Sequence, residues 1–159
     1  MKLVFHPLQQ EQARLMLNWR YPPPYDRYNF DTDITQATLQ YLLDSQNAFY
    51  AILSPQTELK GFCSFGPDGQ VPGGAYPNNA LDIGMGIRPD LVGQGHGKQY
   101  AEAVADYGAT RYNTQRLRVT IAAFNHRAQR VWQGLGFLPV ERFVKANSEE
   151  TFVVMTRAV

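Results

Sequence analysis

Two features of this sequence combine residue types and spacings that do chemistry. The first is a run of alternating glycines, Gly93-Gln94-Gly95-His96-Gly97-Lys98. Glycines at alternate positions let the chain turn tightly and leave its N–H groups uncovered. The run leads into an alanine-rich segment of helical character. The first N–H groups of a helix have no internal partner, and the helix dipole adds partial positive charge there. Such a loop holds an anion, a phosphate or a pyrophosphate. The P-loop pattern is incomplete, because Val92 occupies its first glycine position and Gln99 stands where a Ser or Thr would hold magnesium. The dinucleotide pattern fails on the last glycine spacing. The second feature is Asp82, which shares one face of an alternating segment with Gly84, Gly86 and Arg88, while Leu81, Ile83, Met85 and Ile87 share the other. Glycines inside a strand mark the close approach of a ligand, here beside a carboxylate. The structural alternatives are a bulge at the glycines and an aspartate paired with Arg88 or another cation.

The elements that must position these residues are legible from periodicity. Strands are expected at Lys2 to Phe5, Ala48 to Ser54, Lys60 to Gly66, Ala80 to Arg88, Leu117 to Ile121, Phe137 to Lys145 and Thr151 to Arg157. Helices are expected at Gln9 to Arg20, Thr35 to Asp44, Lys98 to about Thr110, and Asn125 to Leu135, where Ala128, Val131, Trp132 and Leu135 follow the helical stripe. Pro67 to Asn79 is a Gly/Pro/Asn connection inside a run of strands. The order predicts an α/β (α+β) fold, a mixed sheet covered by helices on both faces.

Composition narrows the function classes. The 159 residues make one domain, 1–159, with 44% hydrophobic and 18% charged residues. Fifteen basic and fourteen acidic residues leave a charge of +1, which argues against a large nucleic-acid or membrane-surface footprint. The one cysteine, Cys63, makes neither an internal disulfide nor a Cys-rich zinc site, and a core position is expected for it. His6, His96 and His126 have no partners at metal-ligand spacing, so no metal is expected. The N-terminal apolar run is too short for a signal peptide, and no run suits a membrane span. A cytoplasmic setting is expected.

The glycine loop resembles the acetyl-coenzyme A loop of the GNAT superfamily of N-acetyltransferases, whose motif is Gln/Arg-x-x-Gly-x-Gly/Ala. Gly95 and Gly97 fill its glycine positions, and Val92 departs from the usual Gln or Arg. Downstream, Asn125-His126-Arg127-Ala128, Val131-Trp132 and Leu135-Gly136-Phe137 resemble the family's Asn-x-x-Ala…Tyr…Gly-Phe helix. The two motifs stand in register, and the pattern is most similar to the ribosomal-protein alanine acetyltransferase branch. The resemblance implies a sheet of about seven strands, mostly antiparallel, with four helices. It implies acetyl-CoA as co-substrate and direct attack by an amine in a ternary complex, the acceptor being a small molecule, a peptide N-terminus or a lysine.

By the same resemblance, backbone N–H groups around Met85, Gly86 and Ile87 hold the pantetheine arm and polarise the carbonyl. Gly93, Gln94, Gly95, His96, Gly97 and Lys98 cradle the pyrophosphate, and Asn125 contacts the amide arm while also suiting a helix N-cap. Asp82 is the candidate base. Thr120 stands where some relatives carry a catalytic Glu. Trp132 stands where many carry a Tyr acid, and an indole is no useful acid. The loop holding Tyr21, Tyr25, Tyr28, Asp26, Asp31 and Asp33 is expected to shape the acceptor pocket. A monomer or homodimer is compatible with the pattern. The competing readings are a non-catalytic acyl-CoA-binding module, motivated by Trp132 and Thr120, and a nucleotide-phosphate binder, motivated by Gly97-Lys98 alone.

Overall fold

The alternating apolar residues of Leu81–Ile87 and Arg116–Ala122 bring these two segments together inside one sheet. The computed structural model describes residues 1–159. Its elements are β1 (Val4–Pro7), α1 (Gln10–Leu17), α2 (Gln36–Leu43), β2 (Phe49–Leu53), β3 (Leu59–Phe65), β4 (Leu81–Ile87), α3 (Gly97–Tyr112), β5 (Arg116–Ala122), α4 (His126–Gly134), β6 (Leu138–Val144) and β7 (Thr151–Ala158). The sheet has seven strands in the order β1-β2-β3-β4-β5-β7-β6. Only β4 and β5 run parallel; all other neighbours are antiparallel.

Helices cover both faces because the inner strands are apolar on both sides. In β2, Tyr50 and Ile52 enter one core while Phe49, Ala51 and Leu53 enter another. The first core takes Tyr100, Ala101, Val104 and Ala105 of α3 and Trp132 of α4. The second takes Ala13, Met16 and Leu17 of α1 with Leu39 and Leu42 of α2. Each large aliphatic side chain so buried contributes about 1.5–3 kcal/mol.

Two helix ends differ from the sequence expectation. Helix α1 stops at Leu17 and does not reach Arg20. Asn18 caps it, its side-chain amide donating to the Arg14 carbonyl at 3.0 Å, and Arg20 folds back to donate to Leu17 and Trp19 carbonyls. Side chains thus satisfy the terminal carbonyls that another helical turn would have used. Helix α3 runs to Tyr112, where Asn113 adopts a left-handed φ of 49° and ends it.

The glycines of β4 mark no bulge, since β3 and β4 pair without a register shift from Gly61↔Ile87 to Phe65↔Ile83. Their missing side chains make room for cross-strand neighbours. A Cβ on Gly84 would lie 2.6 Å from Ser64 Oγ, and one on Gly86 would collide with the Phe62 ring. The face expected to be bare beside Asp82 is therefore covered by β3 side chains.

Cys63 is fully buried in the first core, and burial pushes its thiol pKa well above the ordinary value. The thiolate is the reactive form. Native protein is therefore expected to resist iodoacetamide at pH 8 and to incorporate one equivalent after denaturation, read by mass spectrometry. Rapid labelling of the native protein would contradict this packing. No helix is long and apolar enough to cross a membrane.

Candidate active site

The site is opened by a parting of strands. The β4–β5 ladder joins Leu81↔Leu117, Asp82↔Arg118 and Ile83↔Val119, and then stops, although β4 continues to Ile87 and β5 to Ala122. Successive strand residues turn their polar backbone groups to opposite edges. Gly66 donates to the Asp82 carbonyl and Arg88 donates to the Lys60 carbonyl, so the even-numbered residues of β4 address β3. Ile83 meets Val119 of β5 at the other edge, and Met85 and Ile87 address that edge beyond the last β5 rung. The Ile87 carbonyl accepts from the Tyr21 hydroxyl at 2.6 Å. Burial pushes the Tyr21 phenol up to about 12, so it remains a donor at neutral pH. The Met85 N–H and C=O and the Ile87 N–H point into the opening with no strand to pair with.

The glycine loop lies at one end of this opening. Gly93 and Gly95 have φ of 80° and 83°, a region that L side chains rarely adopt. The N–H groups of residues 93 through 99 find no backbone acceptor; the first helical bond of α3 runs from Tyr100 to the His96 carbonyl. No side chain caps α3, and its first turn has no acidic residue. The side chains of Gln94 and His96 serve the loop itself: Gln94 donates to the Asp90 carbonyl at 2.7 Å, and His96 Nδ1 lies 3.2 Å from Gln99 Oε1. Neither side chain lines the large cleft, and the backbone N–H groups of both residues are without acceptors.

A cleft of about 890 Å³ joins loop and strand opening, and Met85, Gly86, Ile87, Gly93, Gly95, Gly97, Lys98 and Asn125 all line it. Sequence reasoning missed two further cations there, Arg127 and Arg130 of α4. They stand three residues apart on the helix face that carries Val131, a spacing visible in the sequence. Helix α4 also lacks an acidic residue in its first turn. Basic side chains near a helix N-terminus oppose the dipole, and an anionic ligand removes that conflict.

Asp82, the candidate base, is not among the residues that line this cleft. Both its oxygens accept from Arg118, from Nε at 2.7 Å and Nη2 at 2.8 Å, and one also accepts from Gln70 at 2.9 Å. Both side chains of the pair are 4% exposed. Arg118 further donates to the Pro77 carbonyl and lies over the Tyr76 ring. The hydrogen bonds that Arg118 donates to Asp82 raise the Arg118 pKa above its ordinary value. Both Asp82 oxygens are therefore engaged within the scaffold. The pair sits one rung before the strands part and clamps them at that point. Arg88, the partner considered from sequence, instead bonds Asp90 and Glu58.

The remaining positions divide between site and scaffold. Trp132 is 5% exposed, packs edge-on against Phe137 at 5.0 Å, and presents one side to the cleft. Thr120 lines the cleft with its hydroxyl 2.9 Å from that of Tyr76. Asn125 caps α4 by accepting from the Ala128 N–H at 3.0 Å, and its amide donates to the Tyr28 hydroxyl at 3.2 Å. Tyr21, Tyr25 and Tyr28 line the cleft, whereas Asp26, Asp31 and Asp33 are exposed and do not.

The family model described as the acetyltransferase (GNAT) domain matches residues 2–138. Among curated proteins, no sequence matches this chain. Solved structures share the fold. One is a GNAT-family acetyltransferase from Bacillus anthracis (TM-score 0.74, 13% identity, covering 99% of this chain and 95% of that one). A second is a chimera of the Vibrio cholerae spermidine N-acetyltransferase (TM-score 0.77, 16% identity, 99% and 96%). A third is the Vibrio cholerae spermidine N-acetyltransferase in complex with CoA and spermine (TM-score 0.74, 17% identity, 98% and 95%).

Proposed function

The chain belongs to the GNAT acetyltransferase family, and from that premise we propose that it moves the acetyl group of acetyl-CoA to a primary amine by direct attack in a ternary complex. The observation that carries this reading is the unbroken run of unpartnered N–H groups from Gly93 to Gln99, set beside the parted edge of β4. The loop N–H groups, with Lys98, Arg127 and Arg130, would hold the diphosphate. The exposed edge at Met85 and Ile87 would bond the amide-bearing arm as an added strand does.

Acetyl-CoA supplies an activated acyl group as a thioester. The neutral amine nitrogen forms a bond to the carbonyl carbon while the carbon–sulfur bond breaks and the electron pair leaves on sulfur. The free N–H groups of the β4 edge are the donors placed for the developing oxyanion. A thiol of ordinary pKa near ~8.5 leaves as thiolate without an acid, so Trp132 at the family's Tyr position is compatible with turnover. Its indole supplies a wall. The proton lost by the amine passes to water at the open cleft mouth, because Asp82 is engaged by Arg118. A primary aliphatic amine is the acceptor chemistry shared with the spermidine acetyltransferases of like fold.

Titration calorimetry with acetyl-CoA, followed by thiol release with a panel of primary amines, tests this function. Saturable binding and amine-dependent release of CoA thiol are expected. No heat of binding at millimolar acetyl-CoA would reject the assignment.

A further inference from the structure

Opposite the cationic loop, the cleft ends in a different chemistry. Asp68 is the one carboxylate among the residues lining the cleft. The Tyr41 hydroxyl donates to one of its oxygens, and Ser64 Oγ donates to the other at 3.4 Å. That second oxygen lies 3.6 Å from where a Cβ on Gly84 would stand, directly before the Met85 edge. Around the carboxylate the walls are aromatic. Tyr41 and Phe49 lie 5.8 Å apart between ring centres, Phe49 and Phe62 6.3 Å, and Phe30 and Phe62 6.4 Å. All four rings line the cleft.

Building on the acetyltransferase assignment, we propose that this end of the cleft takes a monocationic primary amine with an apolar body, such as an arylalkylamine, which docks as the ammonium paired with Asp68 and passes one proton to water before its neutral nitrogen attacks. One carboxylate neutralises one ammonium. A polyamine would carry further cations into walls of Phe30, Phe49 and Phe62, where no second acidic side chain meets them, and removing unpaired charge from water is costly. An aromatic or branched alkyl body gains from those same walls. The acidic residues of the loop after α1, Asp26, Asp31 and Asp33, stay outside and do not supply the missing charge. Tyr41 holds Asp68 in place, and burial together with this bond pushes the Tyr41 phenol above its ordinary pKa, so it stays a donor. Asp68 is exposed and belongs to neither core, so its replacement leaves the cores intact.

The test is titration calorimetry with phenethylamine, spermidine and uncharged phenethyl alcohol, with and without saturating CoA. Wild type is expected to bind phenethylamine at least about ten-fold tighter than spermidine, and Asp68→Asn to lose about ten-fold for phenethylamine, the order of one charge-assisted hydrogen bond. Phenethyl alcohol is expected to bind both forms equally, and acetyl-CoA affinity is expected to be unchanged. Spermidine binding as tightly as phenethylamine, absence of amine binding by wild type, or equal phenethylamine affinity in Asp68→Asn would each overturn the proposal. Loss of acetyl-CoA binding by wild type would instead strike the assignment beneath it, and the titrations without CoA separate the two.

Discussion

Asp82→Ala is expected to cost the fold about 3–5 kcal/mol, because it leaves the Arg118 guanidinium buried without its counter-charge. Domains of this size have about 5–15 kcal/mol in total, so the loss is a large share. It should appear as a fall in Tm on the order of 10 °C. A paired replacement, Asp82→Leu with Arg118→Met, removes both charges and is expected to recover most of the stability, since apolar groups of similar size often substitute for a buried ion pair without loss. That double variant also decides the chemistry. With the fold restored, turnover is expected to stay within about ten-fold of wild type, well short of the roughly 100–10,000-fold loss that removal of a general base produces. A loss of that larger size in a stable double variant would return Asp82 to the reacting atoms.

The second large effect is at the anion loop. Replacing Gly93 and Gly95 together by valine is expected to weaken acetyl-CoA binding by about 3 kcal/mol or more, on the order of a hundred-fold. The left-handed φ of both positions would resist β-branched side chains, and a Cβ on Gly93 would lie 3.9 Å from Arg127 Nη1, one of the cleft cations. The measurement is calorimetry against two ligands. Pantetheine carries the amide arm and no diphosphate, and it should bind variant and wild type alike. Equal weakening for both ligands would mean that the substitutions damage the scaffold. Unchanged acetyl-CoA affinity would remove the loop from the binding site. Added salt should weaken acetyl-CoA binding in wild type more than in the variant, because the contacts being lost are ionic.

The sequence and the structure agree most closely where a side chain's surroundings are set by its near neighbours in the chain. The Ala128, Val131, Trp132 stripe of α4 and the alternation of β4 are patterns of three to four and of two residues, and each forces an element to bury one side. Asn125 does what its place before an apolar stripe predicts, and caps α4. The expected sheet of about seven strands with four helices follows from the order of such elements. The end of α1 was misjudged because Asn18 and Arg20 satisfy the last carbonyls with side chains, and periodicity is blind to that.

By itself the sequence determined the glycine loop, the helix that follows it and the alternating strand before it, because these rest on conformational freedom and spacing within about fifteen residues. Tertiary structure alone decided which partner Asp82 has. Its partner Arg118 lies 36 residues away and reaches it through the parallel register of β4 and β5, which no local period encodes. The covering of Gly84 and Gly86 by Ser64 and Phe62, the parting of β4 from β5 after Ile83, and the arrival of Asp68 at the far end of the cleft are likewise products of strand pairing. Chemistry that depends on which distant side chains share a space is settled by how the sheet closes.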